Sequence, residues 1–155
     1  MTTITKSIIV HPDKLDSSIG KYVKNKVVQL SKICSKTYGY VNEITSPIKI
    51  LSNTIIEDGF VEFVVQYKAN IYKPKSGDIL SCQVCLILDL GIFVIYQDKF
   101  KILIPEGKLK DAGYKLVQDR YVKKKKSIDK DDNINVKINM VRYNNNTFDC
   151  IGELA

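Results

Sequence analysis

Apolar and polar residues alternate one for one from Val61 to Ile71: Val61, Phe63, Val65, Tyr67, Ala69 and Ile71 are separated by Glu62, Gln66, Lys68 and Asn70, among others. Period two sends successive side chains to opposite faces and predicts a half-buried strand. Six residues, Lys-Pro-Lys-Ser-Gly-Asp at 73–78, interrupt the pattern before a new apolar run starts at Ile79. Nearer the start, a short apolar strand at 7–10 ends at His11-Pro12-Asp13. Leu15, Ile19, Tyr22, Val23, Val27, Leu30 and Cys34 then follow at spacings that are mostly three or four, with Lys21, Lys24, Lys26 and Lys32 between them. That spacing predicts an amphipathic helix. Asp16 or Ser17 is placed to cap its first turn. Gly20 costs about 1 kcal/mol relative to alanine, so the helix depends on burial. Tyr38-Gly39-Tyr40 opens a strand to about residue 44, Pro47 breaks it, residues 48–51 resume it, and Asp58-Gly59 turns the chain.

The second half reads as strands alone. Leu80, Cys82, Val84, Leu86 and Leu88 share one face, with Ser81, Gln83 and Cys85 on the other. Gly91 opens a strand to residue 96, Gln97-Asp98 turns the chain, and a third strand runs over 99–104. A polar stretch at 105–132 carries no motif. Ile134, Val136, Ile138 and Met140 then alternate with polar residues, and Asn144, Asn145 and Asn146 turn the chain into a last strand at 148–151. Three strands, a long connection and two strands equal the strand count of a small OB barrel. The segment 73–78 is therefore read as a seam between an N-terminal α+β domain, residues 1–76, and an all-β OB barrel, residues 77–155.

Charge adds one constraint. The 155 residues carry a net charge of +7, a balance that favours nucleic acid or an acidic partner. Residues 1–76 hold 11 basic and 6 acidic residues, net +5; residues 77–155 hold 13 and 11, net +2. The excess is thus not concentrated on the barrel. Four cysteines are too few for a disulfide scaffold of this length, which points to reduced thiols. No run reaches the ~20 apolar residues of a membrane span, and the first residues lack a signal-peptide pattern. The expected location is nucleus or cytoplasm, or cytoplasm or virion for a viral protein, and not secreted. Heavy use of Ile, Asn, Lys and Tyr with no Trp fits an AT-rich genome, such as that of a large DNA virus.

Enzyme chemistry finds little footing. Cys82-Gln83-Val84-Cys85 has CxxC spacing, yet residues three apart in a strand face opposite ways, and there is no second such pair. The cysteines read as ordinary strand residues, Cys82 buried and Cys85 on the other face, with no metal. His11, the one histidine, precedes a proline at a strand end, where capping or packing is expected. No Gly-rich phosphate loop or nucleophile elbow occurs. No catalytic residue and no cofactor is therefore assigned. Lys123, Lys124, Lys125 and Lys126 are followed by Asp129, Asp131 and Asp132, which offset the field; the run reads as a mobile solvated loop in preference to a nucleic-acid patch.

The ordered set "GKYVKNKVVQL", "TYGYVNEI", "DGFVEFVVQYKANIYKPKSGDIL" and "DLGIFVIY" resembles the stalk subunit of multisubunit RNA polymerases, the seventh subunit of RNA polymerase II and its archaeal E counterpart. The resemblance runs along nearly the whole chain. It implies a truncated ribonucleoprotein-like N-terminal domain and an OB barrel of the ribosomal-protein S-one type. It also implies a heterodimer with a smaller helical stalk partner, docking on the polymerase core, and contact with nascent RNA. By the same resemblance, Tyr38, Gly39, Tyr40, Asp58 and Gly59 form one tip against the core. Phe93 fits the aromatic that stacks on RNA, with Tyr96 near it, and Lys99, Lys101, Lys137 and Arg142 can supply phosphate contacts. The alternative for Phe93 and Tyr96 is that they pack within the barrel. The chain departs from the pattern at Cys82, often glycine in the family, and in the connection 108–132. A free-standing OB-fold RNA-binding protein is the rival reading; it calls for a dense basic-aromatic barrel face, which this sequence lacks.

Overall fold

The N-terminal alternation becomes the centre of a sheet. The computed structural model describes all 155 residues, of which Met1–Lys73 form one compact unit and Pro74–Ala155 another. The first contains β1 (Thr2–Val10), α1 (Ile19–Ser31), β2 (Tyr40–Ile44), β3 (Lys49–Ile55) and β4 (Val61–Tyr72). All pairings are antiparallel. On one side β4 meets β1, with Val61 opposite Val10 and Ala69 opposite Thr2. On the other side its first half meets β3 and its end meets β2. Val61, Phe63, Val65, Tyr67 and Ala69 are buried together with Ile4, Ile8 and Val10 of β1 and Val23 and Val27 of α1. The helix repeat supplies one buried stripe and the strand repeat one buried face, and the two enclose a core.

Two details of this unit differ from the sequence reading. β1 starts at Thr2 because Thr2, Thr3 and Thr5 suit an extended pleat as well as the apolar residues do. Ser18, not Asp16 or Ser17, is the N-cap of α1, and it makes no side-chain cap bond. Asp16 instead braces the entry turn, its Oδ1 accepting from the Ser18 backbone N–H at 2.9 Å and from Ser18 Oγ at 2.7 Å. Those hydrogen bonds, the hydroxyl first, hold its carboxyl below the usual carboxylate range.

The second unit contains β5 (Ile79–Leu88), β6 (Gly91–Tyr96), β7 (Phe100–Pro105), α2 (Glu106–Asp111), β8 (Lys115–Val117), β9 (Arg120–Lys123), β10 (Lys126–Ile128), β11 (Asn133–Asn144) and β12 (Thr147–Leu154). Five strands close into a barrel in the order β11-β12-β7-β6-β5, with β5 back against β11. β12 and β7 run parallel, Cys150 beside Ile102, and the other pairings are antiparallel. The arrangement is consistent with an OB-type barrel. Inside lie Cys82, Val84, Ile92, Val94, Phe100, Ile102, Ile104, Val136, Ile138, Phe148 and Cys150, all buried. Gly91, at φ +149°, brings β6 so close to β7 that a Cβ there would strike the Ile104 carbonyl oxygen.

The polar stretch 105–132 is ordered, against the reading of the second half as strands alone. It holds α2 and a small antiparallel sheet in the order β10-β9-β8. Single apolar residues anchor three of its four elements, Leu109 in α2, Tyr121 in β9 and Ile128 in β10, all buried, while β8 is exposed throughout. Tyr121 also donates its hydroxyl to the Leu88 carbonyl at 2.7 Å. Such sparse anchoring leaves no periodicity to read. The lysine run at 123–126 is likewise a tight β9–β10 hairpin, with Lys126 opposite Lys123.

Candidate nucleic-acid interface

On the outer side of the barrel, strand register decides which side chains meet. Phe93 of β6 lies opposite Leu103 of β7 and Leu86 of β5 and is half-buried among them. Lys101 lies opposite Ile95, one diagonal step from Phe93, a separation of roughly 7–8 Å in an antiparallel pair. An aromatic face beside an exposed ammonium is the unit from which single-strand binding surfaces are built. Lys99 follows the Gln97-Asp98 turn, where partial burial pulls its ammonium pKa below the ordinary lysine value.

The other three candidates do not join this pair. Tyr96 pairs with the buried Phe100 at a ring separation of 5.5 Å and has the inward parity of Ile92 and Val94. Lys137 sits on β11 opposite Ile79 and Glu153. Arg142 lies beyond an irregularity between Ile138 and Met140, opposite Asp149, beside a recess of about 320 Å³ that Met140 and Ile151 also line. Between Lys137 and the Phe93 pair lies a shallow recess of about 170 Å³ lined by Ser81, Gln83, Ile95, Gln97, Asp98 and Asn133. Its amides and hydroxyl are hydrogen-bonding groups outside the aromatic and basic set. Their polar parity along β5 was the available signal.

The β5 register corrects one face assignment. A shift between Val84 and Leu86 turns Leu86 outward to 46% exposure, so it leaves the face shared by Cys82 and Val84. Cys85 sits at the shift, its Sγ directed at the Phe93 carbonyl at 3.2 Å. Cys82 and Cys150 are buried in the barrel. Desolvation first pushes their thiols up to about 11 and about 12, with Asp149 and then Cys82 adding to the effect at Cys150.

The five tip residues are not contiguous. Tyr40 lies opposite Tyr72 at the end of β4, whereas Asp58 and Gly59 form the turn just before Val61 at its start. Eleven residue steps of strand, about 3.3 Å each, separate the two ends. Gly39 is buried at φ +76°, and a Cβ there would collide with the Tyr72 carbonyl and Lys73. Close packing within the unit therefore accounts for this glycine. Tyr38 packs partly against the core. At the other end, Asp58 and Gly59 are exposed in left-handed conformations, and Gly59 sits near the Pro12 ring. His11 stands edge-on to Phe60 at 5.0 Å, and its Nδ1 accepts from the Asp13 backbone N–H at 3.3 Å.

No helix is long and apolar enough to cross a membrane. No family model matches the chain. Among curated proteins it is 29% identical over 93 residues to DNA-directed RNA polymerase II subunit rpb7 of Dictyostelium discoideum, covering 59% of this chain and 54% of that protein. It is 28% identical over 93 residues to RNA polymerase II subunit 7 of Arabidopsis thaliana, covering 58% and 52%. The corresponding subunit of Schizosaccharomyces pombe is 28% identical over 99 residues, covering 58% and 55%. The chain thus spans about half the length of the curated relatives it matches. By sequence, the protein resembles the seventh subunit of RNA polymerase II.

Proposed function

We propose that the chain is a non-catalytic stalk subunit of a DNA-dependent RNA polymerase. The similarity to subunit 7 proteins from three eukaryotes carries this reading, and a closed five-stranded barrel is compatible with it. The N-terminal unit, with its truncated ribonucleoprotein-like fold, docks on the polymerase core and on a helical stalk partner. Its contacts fall on two separate patches, one at Tyr38 and Tyr40 around the buried Gly39 and one at Asp58 and Gly59. The barrel receives nascent single-stranded RNA, with Phe93 and Lys101 as its nearest-neighbour pair. Lys99 borders that pair, while Tyr96, Lys137 and Arg142 contribute less. Binding is weak and falls with salt, as expected for contacts to few phosphates.

Affinity purification of the tagged chain from its native source, at moderate salt and with nuclease present, tests the reading. Large polymerase subunits retained in stoichiometric amount are the expected result. Loss of every partner to nuclease, with tight RNA binding by the lone chain, would overturn it in favour of a free-standing RNA-binding module.

A further inference from the structure

The ordered insertion between β7 and β11 brings together two features that do not include the Phe93–Lys101 pair, although the second adjoins the barrel-face recess at Asn133. The first is the β9–β10 hairpin. Its turn places Lys123, Lys124, Lys125 and Lys126 around one open concavity of about 410 Å³. Lys124 adopts φ +50°, a conformation that hairpin turns commonly give to glycine or asparagine. Lysine at that position gives up local turn preference and supplies charge. The nearby carboxylates do not neutralise this charge by contact. Asp129 pairs with Arg120 at 3.2 Å and accepts from Ser127 Oγ at 3.2 Å, while Asp132 accepts the Asp129 backbone N–H at 2.9 Å.

The second feature is a cleft of about 520 Å³ that shares Lys126 with the hairpin. Tyr114, Ser127, Asp132, Asn133 and Asn135 line it as well. Lys123 Nζ stands 5.8 Å from the centre of the Tyr114 ring, so the ring is next to the lysine cluster. The volume lies in the range of small-ligand sites. An aromatic ring, two amides and a hydroxyl are the groups that stack on a base and bond its edges. Asp132 in the cleft disfavours phosphate there and can accept from a base N–H, such as N3–H of uracil. Phosphates therefore go to the hairpin and a base to the cleft.

We propose that this hairpin and cleft form a second single-stranded RNA site, with the lysines on consecutive phosphates and Tyr114 against a base. The choice of RNA rests on the polymerase reading above. An acidic peptide would use the lysines but has no need of the ring and amides.

The test is fluorescence anisotropy of a labelled oligouridylate on the full chain across a salt series. The Lys124→Asn/Lys125→Ser double variant should flatten the slope of log K against log salt by about 1.4, at roughly 0.7 per lost phosphate contact. Asparagine suits the left-handed turn, so this variant should melt no lower than wild type. Tyr114→Leu should weaken binding about tenfold through lost stacking, and Tyr114→Phe should restore it. An unchanged slope in the double variant would overturn the site, as would binding that is lost only with Phe93→Leu. Displacement of the RNA by polyglutamate that is equally sensitive to Tyr114→Leu would reassign the site to an acidic protein. No oligouridylate binding alongside co-purifying polymerase subunits would remove the RNA site and leave the stalk reading standing. Failure of both would remove both.

Discussion

The barrel and the sheet solve the same problem in different ways. The barrel has no free edge along its closed course, since each of its five strands pairs on both sides. The sheet leaves β3 at a border with all seven residues exposed, including Leu51 at 53% and Ile55 at 77%. Unpaired strand edges are templates for further pairing, and proteins commonly cover or charge them. The barrel therefore reads as a finished body, while the sheet reads as a surface awaiting a neighbour.

The strongest test of the contrast is Gly91→Ala. A methyl group at this crossing meets the Ile104 carbonyl in a backbone conformation that L-residues avoid. A loss of about 3 kcal/mol is expected by denaturant titration; a loss below about 1 kcal/mol would mean the barrel is less tightly closed than its pairing indicates. Alkali should also act on the barrel. The folded thiols of Cys82 and Cys150 titrate above an ordinary thiol, so the unfolded chain gives up its protons first as pH rises. Stability should fall from about pH 9 toward 12, and Cys150→Ala should shallow that fall in pH-dependent melting.

Smaller changes sharpen the comparison. Tyr121→Phe removes the hydroxyl that holds the insertion to the Leu88 carbonyl and should cost about 1.5 kcal/mol, with faster proteolysis inside 106–132. Tyr67→Phe should act in the opposite sense. The Tyr67 hydroxyl is buried in the sheet core without a hydrogen-bond partner, and its removal should raise stability by about 1 kcal/mol in urea melts. Ile55→Lys should change stability by no more than about 0.5 kcal/mol while raising the concentration at which the lone chain aggregates, measured by light scattering.

What could be read from the sequence followed from how local its cause was. β4 and α1 declare themselves because one repeat and one buried face coincide over a dozen residues. The turns at Gln97-Asp98 and Asn145-Asn146 were legible because Asp98, Asn145 and Asn146 tolerate positive φ, which Gln97 adopts without that preference. The insertion was not, because its anchors Leu109, Tyr121 and Ile128 are single residues whose partners lie elsewhere in the chain. The candidate surface divided in the same way. Phe93 and Lys101 become neighbours only through the β6–β7 register, and Tyr96 is directed inward by parity with Val94. The two tip segments are separated by the length of β4, a distance that sequence order conceals.

The insertion has a further consequence for how this chain can change. Its entrance is pinned where the Glu106 N–H meets the Leu90 carbonyl at 2.9 Å. Its exit is pinned where Val84 exchanges hydrogen bonds with Asp131 and Asp132 at 2.9 and 2.8 Å. Because the barrel fixes both ends, extra residues added at the insertion's exposed turns, away from the buried Leu109, Tyr121 and Ile128, carry little penalty, each doubling of a flexible loop costing only about 0.6 kcal/mol in closure entropy. The segment is a natural graft point, where a cassette can be lengthened at its exposed turns while the anchors and the five strands beneath it stay in place.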